Sequence, residues 1–144
     1  MLDFQGKRVT IMGLGFFGGT IGLARYLVSC GARVTITDLK SEAELQDSVE
    51  ALSGLPVHFV LGRHDMRDFT DADAVFASPA VREDSPYLVR ARASGVLLET
   101  EMNLFMRLCR GTIIGVTGSN GKTTTTSLIG AIMRAASPRA WVGG

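Results

Sequence analysis

Three glycines near the N-terminus have the spacing of a phosphate-binding turn. Gly13, Gly15 and Gly18 directly follow an apolar run and directly precede a helical pattern. In such a turn the first glycine allows a tight bend, the second lets the backbone approach a phosphate, and the third lets the helix pack on the strand. Backbone N–H groups at the start of the helix then face an anion. The spacing predicts a site for a diphosphate-linked nucleotide; a glycine-rich packing turn without a ligand is the alternative interpretation.

An acidic residue follows the next apolar run along the chain. Asp38 lies where dinucleotide-binding domains commonly place the carboxylate that accepts a ribose hydroxyl. The glycine turn and this carboxylate together are compatible with a nicotinamide cofactor and with any other nucleotide that carries a diphosphate.

A second glycine-rich loop near the C-terminus ends in Gly-Lys-Thr, as phosphate-binding P-loops do. The general P-loop pattern begins with a glycine where this chain has Val116, so the spacing departs from that pattern while the end of the loop is kept. Lys122 would reach the β- and γ-phosphates of ATP and the Thr123 hydroxyl would bind Mg²⁺, and we predict both as catalytic residues. The predicted ATP-binding residues are Gly118, Ser119, Asn120, Gly121, Lys122, Thr123 and Thr124.

Apolar runs alternate with helical patterns along the first 110 residues. Strands are predicted over residues 7–12, 33–37, 57–60, 74–77 and 96–98, and helices over 20–28, from 41 onward, over 85–95 and over 101–109. Ser41 and Glu44 have the spacing of a capping box, and the segment 62–70 is predicted to be irregular. Strands that alternate with helices predict an α/β fold, a Rossmann-like parallel sheet with flanking helices.

The pattern restarts after residue 110. A strand is predicted over residues 112–116, followed by the second glycine loop and a helix over 125–135. We therefore divide the chain into a nucleotide-binding domain, residues 1–110, and the incomplete start of an ATP-binding domain, residues 111–144. The strand over 112–116 lacks predicted neighbours, so we expect its edge to be covered by the first domain or by a second copy of the chain.

The composition favours a folded protein and excludes several other classes. Of 144 residues, 46% are hydrophobic and 20% are charged, which is enough for a packed core. The net charge of +1 gives no sign of nucleic-acid binding. Neither the two cysteines nor the pair His58 and His64 has metal-ligand spacing. The apolar run 9–24 is shorter than the roughly 20 residues of a membrane span and is interrupted by glycines, so we expect a cytoplasmic protein without membrane contact.

Residues 115–124 resemble the ATP loop of the Mur ligases of peptidoglycan synthesis. The motifs upstream and at the C-terminus resemble, in order and spacing, the members of that family that add D-glutamate to UDP-N-acetylmuramoyl-L-alanine. These motifs are the glycine turn, Asp38, Ser78-Pro79, Leu104-Phe105 and residues 142–144. The resemblance covers essentially the whole chain.

The resemblance implies that the first domain binds the uridine diphosphate of the substrate instead of a nicotinamide cofactor. Amides around Phe16 and Phe17 would contact the diphosphate, residues 38–40 would contact the uracil end, and residues 78–79 would lie by the sugar or diphosphate. The residues implied to bind the UDP-sugar are Gly13, Gly15, Phe16, Phe17, Gly18, Asp38, Leu39, Lys40, Ser78 and Pro79.

The implied reaction is ATP-driven amide formation with Mg²⁺. The alanyl carboxylate would attack the γ-phosphate to give an acyl phosphate, from which the amine of D-glutamate displaces phosphate. The other metal ligands and the D-glutamate domain of the family would lie beyond residue 144, so we expect no ligase activity from these residues alone.

Four places differ from the usual family pattern. Ala80 and Thr100 stand where glycine is usual, Asn103 stands where glutamate is usual, and the pair Phe16-Phe17 is bulkier than the common residues. Two other functions stay open from the residues themselves. An oxidoreductase would leave the second loop unexplained, and a non-enzymatic nucleotide-binding module would use only the first domain.

Overall fold

The computed structural model describes residues 3–15, 19–137 and 139–143. Contacts within the chain define two compact units, Met1–Leu108 and Cys109–Gly144. No helix in the described residues is long and apolar enough to cross a membrane.

A five-stranded parallel sheet forms the centre of the first unit. Its strands are β1 (Arg8–Met12), β2 (Arg33–Asp38), β3 (Val57–Leu61), β4 (Ala74–Ala77) and β5 (Leu97–Glu99). Their order across the sheet is β3-β2-β1-β4-β5, and every neighbouring pair is parallel. The predicted α/β fold with a parallel sheet is therefore confirmed.

Helices connect the strands. They are α1 (Gly19–Ser29), α2 (Gln46–Glu50) after a short 3₁₀ turn (Ala43–Leu45), α3 (Met66–Thr70), α4 (Pro86–Ala93) and α5 (Glu101–Leu108). Glu44 accepts hydrogen bonds from the Ser41 N–H at 2.8 Å and from the Ser41 hydroxyl at 2.7 Å. The capping pair thus forms, but it precedes a 3₁₀ turn and only a short helix.

Apolar side chains cover both faces of the sheet. On one face, Val9, Ile11 and Ile36 pack with Leu23 and Leu27 of α1. On the other face, the core contains Met12, Phe69, Val75, Leu88 and Ala91. Strands β1 and β4, inside the sheet, are buried on both faces, as expected in a parallel sheet, and their sequences are accordingly rich in apolar residues.

The segment 62–70, predicted to be irregular, contains the short helix α3. Asp65 caps this helix, because its carboxylate accepts the Arg67 N–H at 2.9 Å. Phe69 anchors the helix in the core with no exposed surface. Burial of this one side chain and the N-terminal cap stabilise a turn that the polar sequence around it does not predict.

The predicted strand over residues 112–116 is not formed, and this part of the prediction is wrong. These residues have no regular secondary structure. A strand is stabilised by hydrogen bonds to a neighbouring strand, and the described residues provide no such neighbour here. We expected the edge of this strand to be covered by the first domain or by a second copy of the chain. Because the strand is not formed, that expectation no longer applies. The helix after the loop is present as α6 (Lys122–Ala136).

Candidate functional site

The loops after β1, β2 and β4 meet at the carboxyl edge of the sheet. The Gly13 N–H donates to the Thr37 carbonyl at 2.8 Å, and the Ser78 N–H donates to the Met12 carbonyl at 2.9 Å. β1 lies between β2 and β4, so the strand order reverses at this point. Open α/β sheets bind ligands in the crevice at such a reversal.

Glycine is required in the loop after β1 for two reasons. Gly13 has φ +96° and Gly15 has φ +60°, a region that other residues seldom adopt. A Cβ on Gly13 would also lie 3.0 Å from the Cβ of Ser78. The carbonyls of this loop are held as well, because Thr20 donates to Gly13 at 3.1 Å and Ser48 donates to Gly15 at 3.0 Å. The turn is therefore held both by the backbone conformation of its glycines and by hydrogen bonds to its carbonyls.

The Asp38 carboxylate joins two loops of the edge. Its Oδ2 accepts the Leu14 N–H at 2.8 Å and lies 3.5 Å from the Gly15 nitrogen. Its Oδ1 accepts the Lys40 N–H at 2.9 Å. Sequence reasoning assigned this residue to the nucleotide alone and missed its role in holding the glycine turn.

The other residues predicted to bind the UDP-sugar, as far as the structure describes them, also lie at the carboxyl edge of the sheet. Leu39 is exposed with 68% of its surface, Lys40 and Ser78 are partly buried, and Pro79 is exposed. Phe16, Phe17 and Gly18 lie outside the described residues. The structure therefore brings residues 13–15, 38–40 and 78–79 together, while their contacts with a ligand stay a prediction.

An acidic side chain that the sequence did not single out reaches this edge. The Glu101 carboxylate packs against Gly19 so closely that a Cβ there would lie 2.6 Å from Oε2. Glu101 also borders a small pocket of about 20 Å³ together with Thr20, Ser78 and Pro79. A larger residue at the first position of α1 would require this exposed carboxylate to move aside.

The second glycine loop is a separate candidate site in the second unit. Gly121 has φ +77° and precedes α6, whose first turn contains no acidic residue. The Lys122 ammonium folds back over the loop, donating to the Gly118 carbonyl at 2.5 Å and the Ser119 carbonyl at 3.3 Å. A lysine held by loop carbonyls at a helix N-terminus fits a site that receives phosphate.

Metal ligands are few around this loop. Among residues 3–15, 19–137 and 139–143, no three His, Cys, Asp or Glu side chains come together as a metal site. Thr123 is exposed at the start of α6, as are Ser119, Asn120 and Thr124. A hydroxyl in this position fits a Mg²⁺ ion whose other ligands are phosphate oxygens and water.

An open parallel sheet with a glycine turn at the reversal of strand order defines a Rossmann-like domain. The comparison with known families is more specific. The model of the family "Mur ligase MurD-like, N-terminal domain" matches residues 7–99. The chain belongs to this family.

Curated relatives match nearly the full chain. The UDP-N-acetylmuramoylalanine--D-glutamate ligase of Roseiflexus sp. (strain RS-1) is 50% identical over 99% of the chain, and that of Geobacter metallireducens is 44% identical over 99%. In both cases the chain spans 31% of the relative.

Solved structures of related ligases have a similar fold. A pseudomurein peptide ligase type C from Methanothermus fervidus matches 92% of the chain and 27% of its own, with a TM-score of 0.57 and 25% identity. The UDP-N-acetylmuramate-alanine ligase MurC from Thermotoga maritima matches 90% of the chain and 30% of its own, with a TM-score of 0.56 and 30% identity.

Proposed function

We propose that this chain supplies the UDP-substrate domain and the ATP loop of a ligase that joins D-glutamate to UDP-N-acetylmuramoyl-L-alanine. The main support is one observation, the meeting of the glycine turn, Asp38 and the Ser78 loop at a single sheet edge. The support is strengthened because relatives with this ligase name are up to 50% identical over 99% of the chain.

The hydrogen bonds of Asp38 divide the glycine turn into two parts. The carboxylate already accepts the Leu14 N–H at 2.8 Å and faces the Gly15 nitrogen at 3.5 Å. We infer that the diphosphate is bound by the amides that follow, at Phe16 and Phe17, and by the N-terminus of α1. Asp38 then contributes by holding the turn, while residues 38–40 receive the uracil end.

The Ser78-Pro79 loop is the second boundary of the proposed substrate crevice. Its position is fixed by the hydrogen bond of the Ser78 N–H to the Met12 carbonyl and by the close approach of its Cβ to Gly13. We propose that these two residues lie against the sugar or diphosphate. Ala80 follows them, and its N–H points toward the Ser78 hydroxyl at 3.4 Å.

At the second loop we propose that Lys122 and Thr123 bind ATP and Mg²⁺. The lysine would exchange its loop carbonyls for β- and γ-phosphate oxygens, since an ammonium binds a phosphate more strongly than a neutral carbonyl. ATP would supply the phosphoryl group that activates the alanyl carboxylate. A cytoplasmic location is part of this proposal.

Calorimetry with the 144-residue chain tests the proposal. We expect UDP-N-acetylmuramoyl-L-alanine to bind, UDP to bind more weakly, and NADH to give no heat. Binding of NADH without binding of the UDP-sugar would contradict the proposal and favour the oxidoreductase interpretation. ATP titrated with Mg²⁺ into the same chain tests the second loop independently.

A further inference from the structure

The segment after β3 folds back against the predicted uracil end. The Gly62 N–H donates to the Lys40 carbonyl at 2.8 Å. Arg63 forms an antiparallel β-bridge with Asp38. Residues 62–63 therefore support the backbone of residues 38–40 directly.

A buried hydroxyl fixes this segment to the end of β2. Thr37 has no exposed surface, and its Oγ1 lies 3.1 Å from the Arg63 carbonyl oxygen and 2.7 Å from Nδ1 of His64. A hydroxyl has one hydrogen, and a carbonyl can only accept. The Thr37 hydroxyl thus donates to Arg63, which assigns the Nδ1–H tautomer to His64 as donor to Thr37.

Two aromatic rings hold the imidazole in place. Phe69 and Tyr87 contact the His64 ring edge-on, with ring centroids 5.8 Å and 5.0 Å away. Burial lowers the pKa of His64, against the opposing effect of the Asp38 and Asp68 carboxylates. The ring is therefore neutral at neutral pH and keeps one nitrogen as a donor.

We propose that His64 is a positioning residue for the uracil end of the nucleotide site. Its ring fixes the Thr37 hydroxyl, this hydroxyl fixes the Arg63 carbonyl, and the segment 62–63 fixes the backbone of residues 38–40. The inference rests on the proposed function in naming uracil as the group received there. His64 belongs to a different loop and has no predicted contact with the ligand. In this proposal it nevertheless helps to determine the geometry of the site.

Two substitutions separate the hydrogen bond from the packing. His64→Asn places an amide N–H near the position of Nδ1, and His64→Leu keeps an apolar side chain without a donor. His58→Asn is the matched control, because His58 is exposed on β3. Calorimetry with UDP should give affinities within about twofold of the original for His64→Asn and the control, and a loss of about fivefold or more for His64→Leu.

In the calorimetry with UDP, the decisive result is that His64→Asn keeps the affinity that His64→Leu loses. Equal affinities for UDP in all three variants would overturn the inference, and so would an equal loss in His64→Asn and His64→Leu. Thermal unfolding of each variant, followed in parallel, shows whether a weak binder is still folded at the temperature of the titration.

NMR of the ligand-free chain tests the positioning without the proposed function. We expect the amide signals of Lys40 and Gly62 to move in His64→Leu and to stay near their original positions in His64→Asn and His58→Asn. Unmoved signals in His64→Leu would overturn the inference even if UDP binds. Moved signals together with no UDP binding by the original chain would instead reject the proposed function and support the positioning role.

Discussion

The Asp38 carboxylate accepts the backbone N–H of Leu14 across the carboxyl edge of the sheet, with 2.8 Å between Oδ2 and the nitrogen. The other carboxylate oxygen accepts the Lys40 N–H at 2.9 Å. One side chain thereby sets the relative position of the glycine turn and of the loop that follows β2. In the proposed ligase these two loops receive the diphosphate and the uracil.

Replacing this carboxylate should weaken both the fold and the binding of nucleotide. In Asp38→Asn, the amide NH₂ would face a backbone donor on one side, so one of the two hydrogen bonds is lost. We expect a loss of about 1–3 kcal/mol in the free energy of unfolding and a UDP affinity reduced at least about tenfold. Urea unfolding and calorimetry measure the two effects. Asp47→Asn, at an exposed position in α2, is the control and should change neither.

Alanine at Gly13 should be destabilising, whereas alanine at Gly22 should be stabilising. Gly13 combines φ +96° with a neighbouring Cβ at 3.0 Å. Gly22 is exposed within α1, and a Cβ there would meet no atom within 4 Å. We expect Gly13→Ala to lose about 1–3 kcal/mol of unfolding free energy and Gly22→Ala to gain about 0.5–1 kcal/mol. Chemical denaturation measures both, and a similar sign for the two would contradict the assigned geometry.

Removal of the Lys122 ammonium should weaken ATP binding without affecting the first unit. In the described part of the chain the Lys122 ammonium donates to the Gly118 and Ser119 carbonyls of the same unit, so Lys122→Met should leave the unfolding temperature of the first unit unchanged. We expect ATP affinity to fall at least about tenfold, because a charged hydrogen bond to phosphate is lost. UDP affinity should stay unchanged. Arg139→Met removes an exposed positive charge elsewhere in the unit and serves as the control.

Acid should weaken the fold partly through Asp73. The Arg8 N–H, at 2.8 Å, and the nearby Lys7 and Arg8 side chains hold the pKa of Asp73 below its usual value. A carboxyl whose pKa is lowered by folding stabilises the folded state at pH values above its pKa in the unfolded chain, about 3.9. This stabilisation is lost as the pH falls through the pKa of the folded state. Asp73→Asn should therefore lose less stability between about pH 5 and pH 3 than the original chain.

The control for the acid prediction is Asp71→Asn, at an exposed position two residues away. Unfolding by urea at several pH values measures the dependence. An identical slope for the original chain and Asp73→Asn would show that the Arg8 and Lys7 contacts do not lower the pKa of this carboxyl.

Local patterns were sufficient where a residue's role depends on its sequence neighbours. Apolar runs located all five strands of the first unit, because the strands of a parallel sheet covered by helices are rich in apolar residues. Pro86 marked the first turn of α4, where a missing N–H has no consequence. Gly13 was identified by the motif, and its positive φ is a local property of the turn.

Local patterns failed where stability came from distant residues. Helix α3 depends on burying Phe69 under Tyr87 of another helix, and residues 112–116 have strand-forming side chains without a neighbouring strand to pair with. Both outcomes depend on which backbone or side chain lies beside the segment, and a short window of sequence does not contain that information.

The sequence by itself determined the parallel α/β sheet, the two glycine loops and the acidic residue at the end of β2. Only the tertiary structure decided that Asp38 holds the turn after β1 and that His64 lies on Thr37. These contacts join residues from different strands and loops, so they arise when the parallel strands align their carboxyl ends at one edge. Residue type and spacing predict which groups can do chemistry, and the register of the sheet decides which of them meet.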